Sequence, residues 1–308
     1  MVIPLNKHSR RGNPIKNSPI KIIDPHLHLF NLQEGDYAWL KPENPPHWPN
    51  KQLINRDYRE SDIALQTPLE LTGFVHVEAG FDNQQPWREI DWLEQHCRKP
   101  FRSVAFVNLN LSANNFTRHI ELLCQRPSVR GVRHILDEDA ETLLNDPKVV
   151  GHFKVLQAHN LSFDAQLSVV DGAAVCGLIN ILEQTPELRV IIDHAGWVPS
   201  FNDKEQWQRW TDNLKRLARY PQVAIKLSGW EMANSNWTND DVKPVLELCL
   251  ELFSDRCVML ASNFPLCSWS YSLQDLWLNY VQLIGADGSL LTHLSSGNAA
   301  TWYQFDEF

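Results

Sequence analysis

Eight short apolar runs recur in order along the chain. They are residues 21–28 (KIIDPHLH), 73–79 (GFVHVEA), 103–110 (SVAFVNLN), 131–136 (GVRHIL), 161–168 (LSFDAQLS), 189–196 (RVIIDHAG), 223–229 (VAIKLSG) and 257–263 (CVMLASN). Their length, β-branched content and turn-rich flanks predict strands rather than buried helix. Helical patterns fill several of the gaps. Residues 86–97 put Trp87, Ile90, Leu93 and Cys97 on one face behind Pro86, and segments 173–182, 204–217, 241–253 and 272–283 read similarly. Strand alternating with helix predicts a parallel sheet, and eight strands predict a closed (β/α)8 barrel of the TIM type. An open doubly wound sheet is the alternative, but no glycine-rich dinucleotide loop follows the first strand.

Two stretches fall outside this rhythm. Residues 1–20 read as a loose arm, which leaves 21–308 as one barrel domain. Residues 31–68 form a long irregular loop with Pro42, Pro45, Pro46 and Pro49 and the aromatic residues Tyr37, Trp39, Trp48 and Tyr58. Long loops in compact domains are usually functional, and the aromatics predict an ordered lid over the barrel mouth.

Composition narrows the partners. The formal net charge of -9 argues against a nucleic-acid partner, whose phosphates need a basic surface, and against an anionic membrane. No run has the length of a membrane span or of a signal-peptide core. The six cysteines include no Cys-x-x-Cys pair, so they read as mostly buried free thiols of a reducing compartment. The expectation is a cytoplasmic protein acting on a small molecule, with homo-oligomerisation left open.

The sharpest chemical feature is Asp24-Pro25-His26-Leu27-His28. Residues two apart on a strand share a face, so His26 and His28 should converge inside the barrel, where two imidazoles can grip a metal ion or polarise a substrate. The bland alternative is a pair of core histidines bonded to backbone. The same alternation puts His76 and Glu78 on one face, Arg133 opposite His134, and Asp193 opposite His194. Gln166 is a candidate hydrogen-bonding partner for substrate, and Trp197 a candidate pocket floor. Lys226 could face the site or the barrel wall. No Gly-x-Ser-x-Gly elbow and no Walker phosphate loop is present.

The ordered series IDPHLHLF (23–30), HVEAG (76–80), GVRH (131–134), DHAG (193–196), KLSG (226–229), RCVMLASNFPLC (256–267) and GNAATWY (297–303) resembles the amidohydrolase-related barrel hydrolases. The likeness is to the branch containing sugar lactonases and pyrone-dicarboxylate lactonases. It covers about residues 20–305 and implies a lactone or related carboxylate substrate bound at the C-terminal ends of the strands. It matches His26 and His28 to the first-strand pair, His194 to the sixth-strand histidine, and Arg133 to an arginine that holds a carboxylate or carbonyl. These three histidines would be the metal ligands if a metal such as zinc is bound. Members of this branch also work without metal, so the cofactor expectation is none, or one divalent ion.

Asn263 departs from the pattern, because the family usually carries aspartate there. An amide is neither a base near neutral pH nor a strong metal ligand. The general base is then His194 or Glu78, with His76 a further candidate, while Arg133 with His26 or His28 polarises the carbonyl. Asn263 would orient the water or the substrate. Three functions follow as expectations: a lactone hydrolase, a decarboxylase or other lyase on the same scaffold, and a catalytically weakened binding protein.

Overall fold

A computed structural model describes residues 18–285 and 287–306. Most of the expected N-terminal arm lies outside the described residues. Eight strands run in sequential order, each parallel to the next: β1 (Ile20–Leu27), β2 (Leu69–Val77), β3 (Phe101–Phe106), β4 (Val129–Ile135), β5 (Ser162–Gln166), β6 (Val190–Ile192), β7 (Val223–Leu227) and β8 (Val258–Leu260). The ring is joined at the β8–β1 seam by a parallel bridge between Leu27 and Phe264. There His28 N–H donates to the Phe264 carbonyl at 2.7 Å and Asn263 N–H to the His26 carbonyl at 2.8 Å. The fold is the (β/α)8 barrel that the alternation predicts. Among the described residues no helix is long and apolar enough to cross a membrane.

All five helical segments read from periodicity are present. Two longer helices that the sequence reading did not single out, Ala113–Leu123 and Pro147–Ala158, cover β3–β4 and β4–β5. The second begins at a proline capped by Asp146, whose side chain accepts from Lys148 N–H at 2.8 Å. The outer core lies between strands and helices. It takes Val223, Ile225 and Leu227 from β7, while Ala224 between them joins a second cluster inside the barrel. That inner cluster also contains Ile23, Val75, Val104, Ile191 and Met259, and the C-terminal Trp302 and Tyr303 close it from below.

The loop after β1 is an ordered lid. Three short 3-10 turns (Ala38–Leu40, Lys51–Ile54 and Glu60–Ile63) shape it, and Trp39 and Trp48 meet edge-to-face at 6.2 Å over the cavity. The cysteines are all free, but only Cys97, Cys249 and Cys267 are buried; Cys124 and Cys176 are exposed. The expectation of mostly buried thiols overstated their burial.

Candidate active site

At the C-terminal ends of the strands a cavity of about 880 Å³ opens beneath the lid. His28, Glu78, Arg133, Gln166, His194, Trp197 and Asn263 line it. Barrel enzymes of this architecture place their chemistry at this face.

His28, just beyond β1, hydrogen-bonds through Nδ1 to the Val77 carbonyl at 2.7 Å. A carbonyl only accepts, so the His28 proton sits on Nδ1 and Nε2 offers a lone pair to the cavity. His26 lies one step deeper, fully buried, with Nδ1 3.2 Å from Asp193 Oδ1 and Nε2 without a hydrogen-bond partner. The His26 ring centroid is 5.1 Å from that of His28 and 4.7 Å from that of His194. His194 contacts Ser228 Oγ through Nδ1 at 3.0 Å. Burial pushes all three imidazoles down in pKa, His194 to about 3, with the Arg133 and Lys226 cations adding to the effect on His194 against the pull of Asp193. The three rings are therefore neutral at ordinary pH.

Arg133 stands beside them on β4. Its Nε donates to Glu78 Oε1, one Nη to the Glu78 carbonyl oxygen and the other to Gln166 Oε1, each at 2.9 Å. Two of its five N–H donors remain without a hydrogen bond among the described residues. Burial alone raises the Glu78 carboxyl and would lower the Arg133 guanidinium, and their ion pair opposes both effects. Glu78 thus holds the guanidinium in place.

Beneath the cavity lies a buried charge cluster. Lys226 Nζ contacts Asp164 Oδ2 at 2.5 Å and Asp193 Oδ1 at 3.0 Å, and lies 3.3 Å from His26 Nδ1. Tyr303 reaches up from the C-terminal segment to donate its hydroxyl to Asp164 Oδ2 at 2.7 Å. Burial would raise Asp193, but Lys226 and His26 outweigh it and hold the carboxyl well below the usual range. Asp164 is raised by burial, which Lys226 only partly offsets.

Three expectations from the sequence need correction. Val75 and Val77 are the inward residues of β2, so His76 faces the outer layer. Its Nε2 meets Glu89 Oε1 at 3.0 Å, its Nδ1 accepts from Leu29 N–H at 3.2 Å, and it does not line the cavity. Glu78 reaches the cavity because it lies past the end of β2. Asp193 does not face away from the site. β6 ends at Ile192, and His194, Ala195 and Trp197 have φ of 52°, 52° and 60°, so the chain turns too tightly for alternation to apply. Such left-handed backbone costs about 1–3 kcal/mol per residue and clusters at functional sites. Finally, the lone pair on Nε2 means that His28 cannot donate to a substrate carbonyl, and His26 lies beneath the cavity rather than on its wall. Of the polarising groups predicted, Arg133 is the one with protons to give. Trp197 packs on the His194 ring at 5.2 Å, and His134, also on the cavity wall, commits its Nδ1 to the Val107 carbonyl.

The sequence reading missed Asp164, Ser228, Tyr303 and Glu231. Asp164 was accessible, because it shares the β5 face of Gln166, two residues along. Glu231 had no local signal. It sits on a short helical turn after β7 (Trp230–Ala233) and accepts a 2.6 Å hydrogen bond from Asn263 Nδ2. Its carboxyl is pushed up to about 7 by burial, against the hydrogen bonds it accepts.

The amidohydrolase family model matches residues 23–305. The chain belongs to the amidohydrolase family. An uncharacterized protein of Sinorhizobium fredii is 29% identical, covering 93% of this chain and 99% of its own length. The L-fucono-1,5-lactonase of Burkholderia ambifaria is 24% identical, covering 90% and 96%. A crystal structure of an amidohydrolase from Burkholderia multivorans with bound zinc superposes with a TM-score of 0.75 at 19% identity, covering 92% of this chain and 99% of that one.

In tautomer, His28 suits a divalent ion. In spacing, the residues of this amidohydrolase do not fit one: among those described, no three His, Cys, Asp or Glu side chains stand close enough to share an ion. The Asn263 NH2 group is also committed to Glu231.

Proposed function

We propose that this amidohydrolase hydrolyses a lactone of a sugar acid or a closely related small cyclic ester. The observation that carries the reading is the juxtaposition, on one cavity wall, of two neutral imidazoles, His28 and His194, and an arginine with free N–H donors. The Burkholderia ambifaria L-fucono-1,5-lactonase, similar over nearly its whole length, supports the substrate class.

The steps run on side chains alone. Arg133 donates to the lactone carbonyl and holds the negative charge that develops on its oxygen. His194, which lines the cavity while His26 lies beneath it, takes a proton from water through Nε2 as the water oxygen bonds to the carbonyl carbon. Burial makes the His194 imidazolium costly in the empty site, but the nascent oxyanion and Asp193 offset that cost as the proton arrives. The tetrahedral adduct expels the ring oxygen, which takes the proton back from His194 and leaves as a hydroxyl. Glu78 and Gln166 keep Arg133 aimed, which leaves His194 rather than Glu78 as the base. His28 Nε2 is positioned to accept from a substrate hydroxyl.

The test is a panel of aldono-1,4- and aldono-1,5-lactones assayed by proton release with a pH indicator. Turnover of at least one is expected, and it should survive dialysis against chelator. Silence across the panel, with sugar acids still bound in calorimetry, would replace the enzyme with a binding protein.

A further inference from the structure

Asn263, past the end of β8, has a positive φ of 57° and lines the cavity. Its Nδ2 is taken by Glu231 at 2.6 Å, with Met232 Sδ at 3.8 Å, while its Oδ1 has no protein donor among the described residues. Glu231 is 4% exposed and is not part of the cavity wall. The arrangement is thus a carboxyl behind an amide and an amide oxygen in front.

We infer that Glu231 is a positioning residue for hydrolysis, which fixes the Asn263 amide so that Oδ1 faces the cavity and accepts a hydrogen bond from the attacking water. This rests on the hydrolase reading above. The physical basis is the donor count. An ionised carboxylate can only accept, so it admits only the NH2 end of the amide and turns the oxygen outward. A neutral partner that can both donate and accept leaves the amide free to invert, which would present NH2 to the water and orient its lone pair wrongly for attack. The pair carries one carboxyl in total, set back from the cavity by the length of one amide.

Glu231 acts electrostatically on titratable groups from two other elements, Cys267 of the turn after β8 and Tyr280 of the helix Leu273–Ile284, both of which also feel Asp24 of β1. Burial pushes Asp24 to about 6 and the Cys267 thiol and Tyr280 hydroxyl well above their usual values. Through most of the working range the carboxyls are therefore the groups that change charge here. A carboxyl raised from 4.5 to about 7 binds its proton more tightly in the folded chain than in the unfolded one. Its contribution to stability is complete below about pH 4.5 and is lost as pH rises through about 7.

The experiment compares wild type, Glu231→Gln and the transposed pair Asn263→Asp with Glu231→Gln on a lactone that wild type hydrolyses, from about pH 5 to 8.5. Glutamine can donate or accept, so Glu231→Gln should lower kcat by about 10-fold with KM within about 2-fold, and should remove a rising limb near neutral pH. In the transposed pair the introduced glutamine donates to the new carboxylate, which again presents an acceptor to the water; kcat should recover most of the loss. A kcat for Glu231→Gln equal to wild type across the pH range, or a double variant no better than it, would overturn the inference. Melting temperatures supply a readout that needs no substrate. Relative to wild type, Glu231→Gln should gain stability steadily from about pH 4.5 to 8. A flat difference overturns the charge assignment, whereas a sloping difference with no lactone turnover supports the pair and counts against the hydrolase reading alone.

Discussion

In the lower half of the barrel interior Ile23, Val75, Val104, Ile191, Ala224 and Met259 meet side by side, and Trp302 and Tyr303 seal them from below. One step further along the same strands, Ala224 gives way to Lys226 and Ile191 to Asp193, and buried side chains that carry charge or a lone pair take over. The lower half gains stability by excluding water, at about 25 cal/mol per Å² of apolar surface. The upper half bears a desolvation cost and stands only because each ion is matched: Lys226 by two carboxylates, and Arg133 by Glu78 and, at 3.6 Å, Asp193. Substitutions below should therefore change stability without changing chemistry, and substitutions above should change both.

Four variants test that division, in decreasing order of expected effect. His194→Ala removes the proposed base and should lower kcat/KM by about 10²–10⁴-fold while the melting curve stays cooperative; full activity would end the role assigned to it. Lys226→Met strands Asp164 and Asp193 without their cation and should cost about 3–5 kcal/mol in urea unfolding. That deficit should shrink toward about pH 5, because Asp164 takes up a proton more readily as the medium becomes acidic. Tyr303→Phe deletes the hydroxyl that ties the lower plug to the upper cluster. Its loss should cost about 1.5–3 kcal/mol, typical of a hydrogen bond to a charged group, with a smaller fall in kcat. Ile191→Val, wholly within the lower half, should cost about 0.5–1.5 kcal/mol and leave kcat/KM of the folded protein unchanged. Equal losses of activity in Ile191→Val and Tyr303→Phe would erase the boundary between the halves.

The two halves also differ in how far local sequence reached. Period-two alternation put His26 and His28 on the inner face, residue type and resemblance singled out Arg133 and Gln166, and parity with Gln166 would have found Asp164. It failed for His76, because the register of β2 turns Val75 and Val77 inward, and for Asp193, because the strand had already ended. Within regular strand, side-chain direction is a local property, and the pattern of apolar positions reports it faithfully. At the strand ends, where the chain adopts left-handed backbone and where β1 meets β8, direction is set by neighbours distant in sequence.

By itself the sequence determined the alternation of strand and helix, the barrel and its lid, and the imidazoles and arginine at the mouth, because periodicity and residue type are written along the chain. Only the tertiary structure decided which nitrogen of His28 carries the proton, that Lys226 stands between Asp164 and Asp193, and that Glu231 backs Asn263. Each of those depends on a partner brought near by closure of the ring, and a hydrogen bond or ion pair exists only once both of its ends share the same few ångströms.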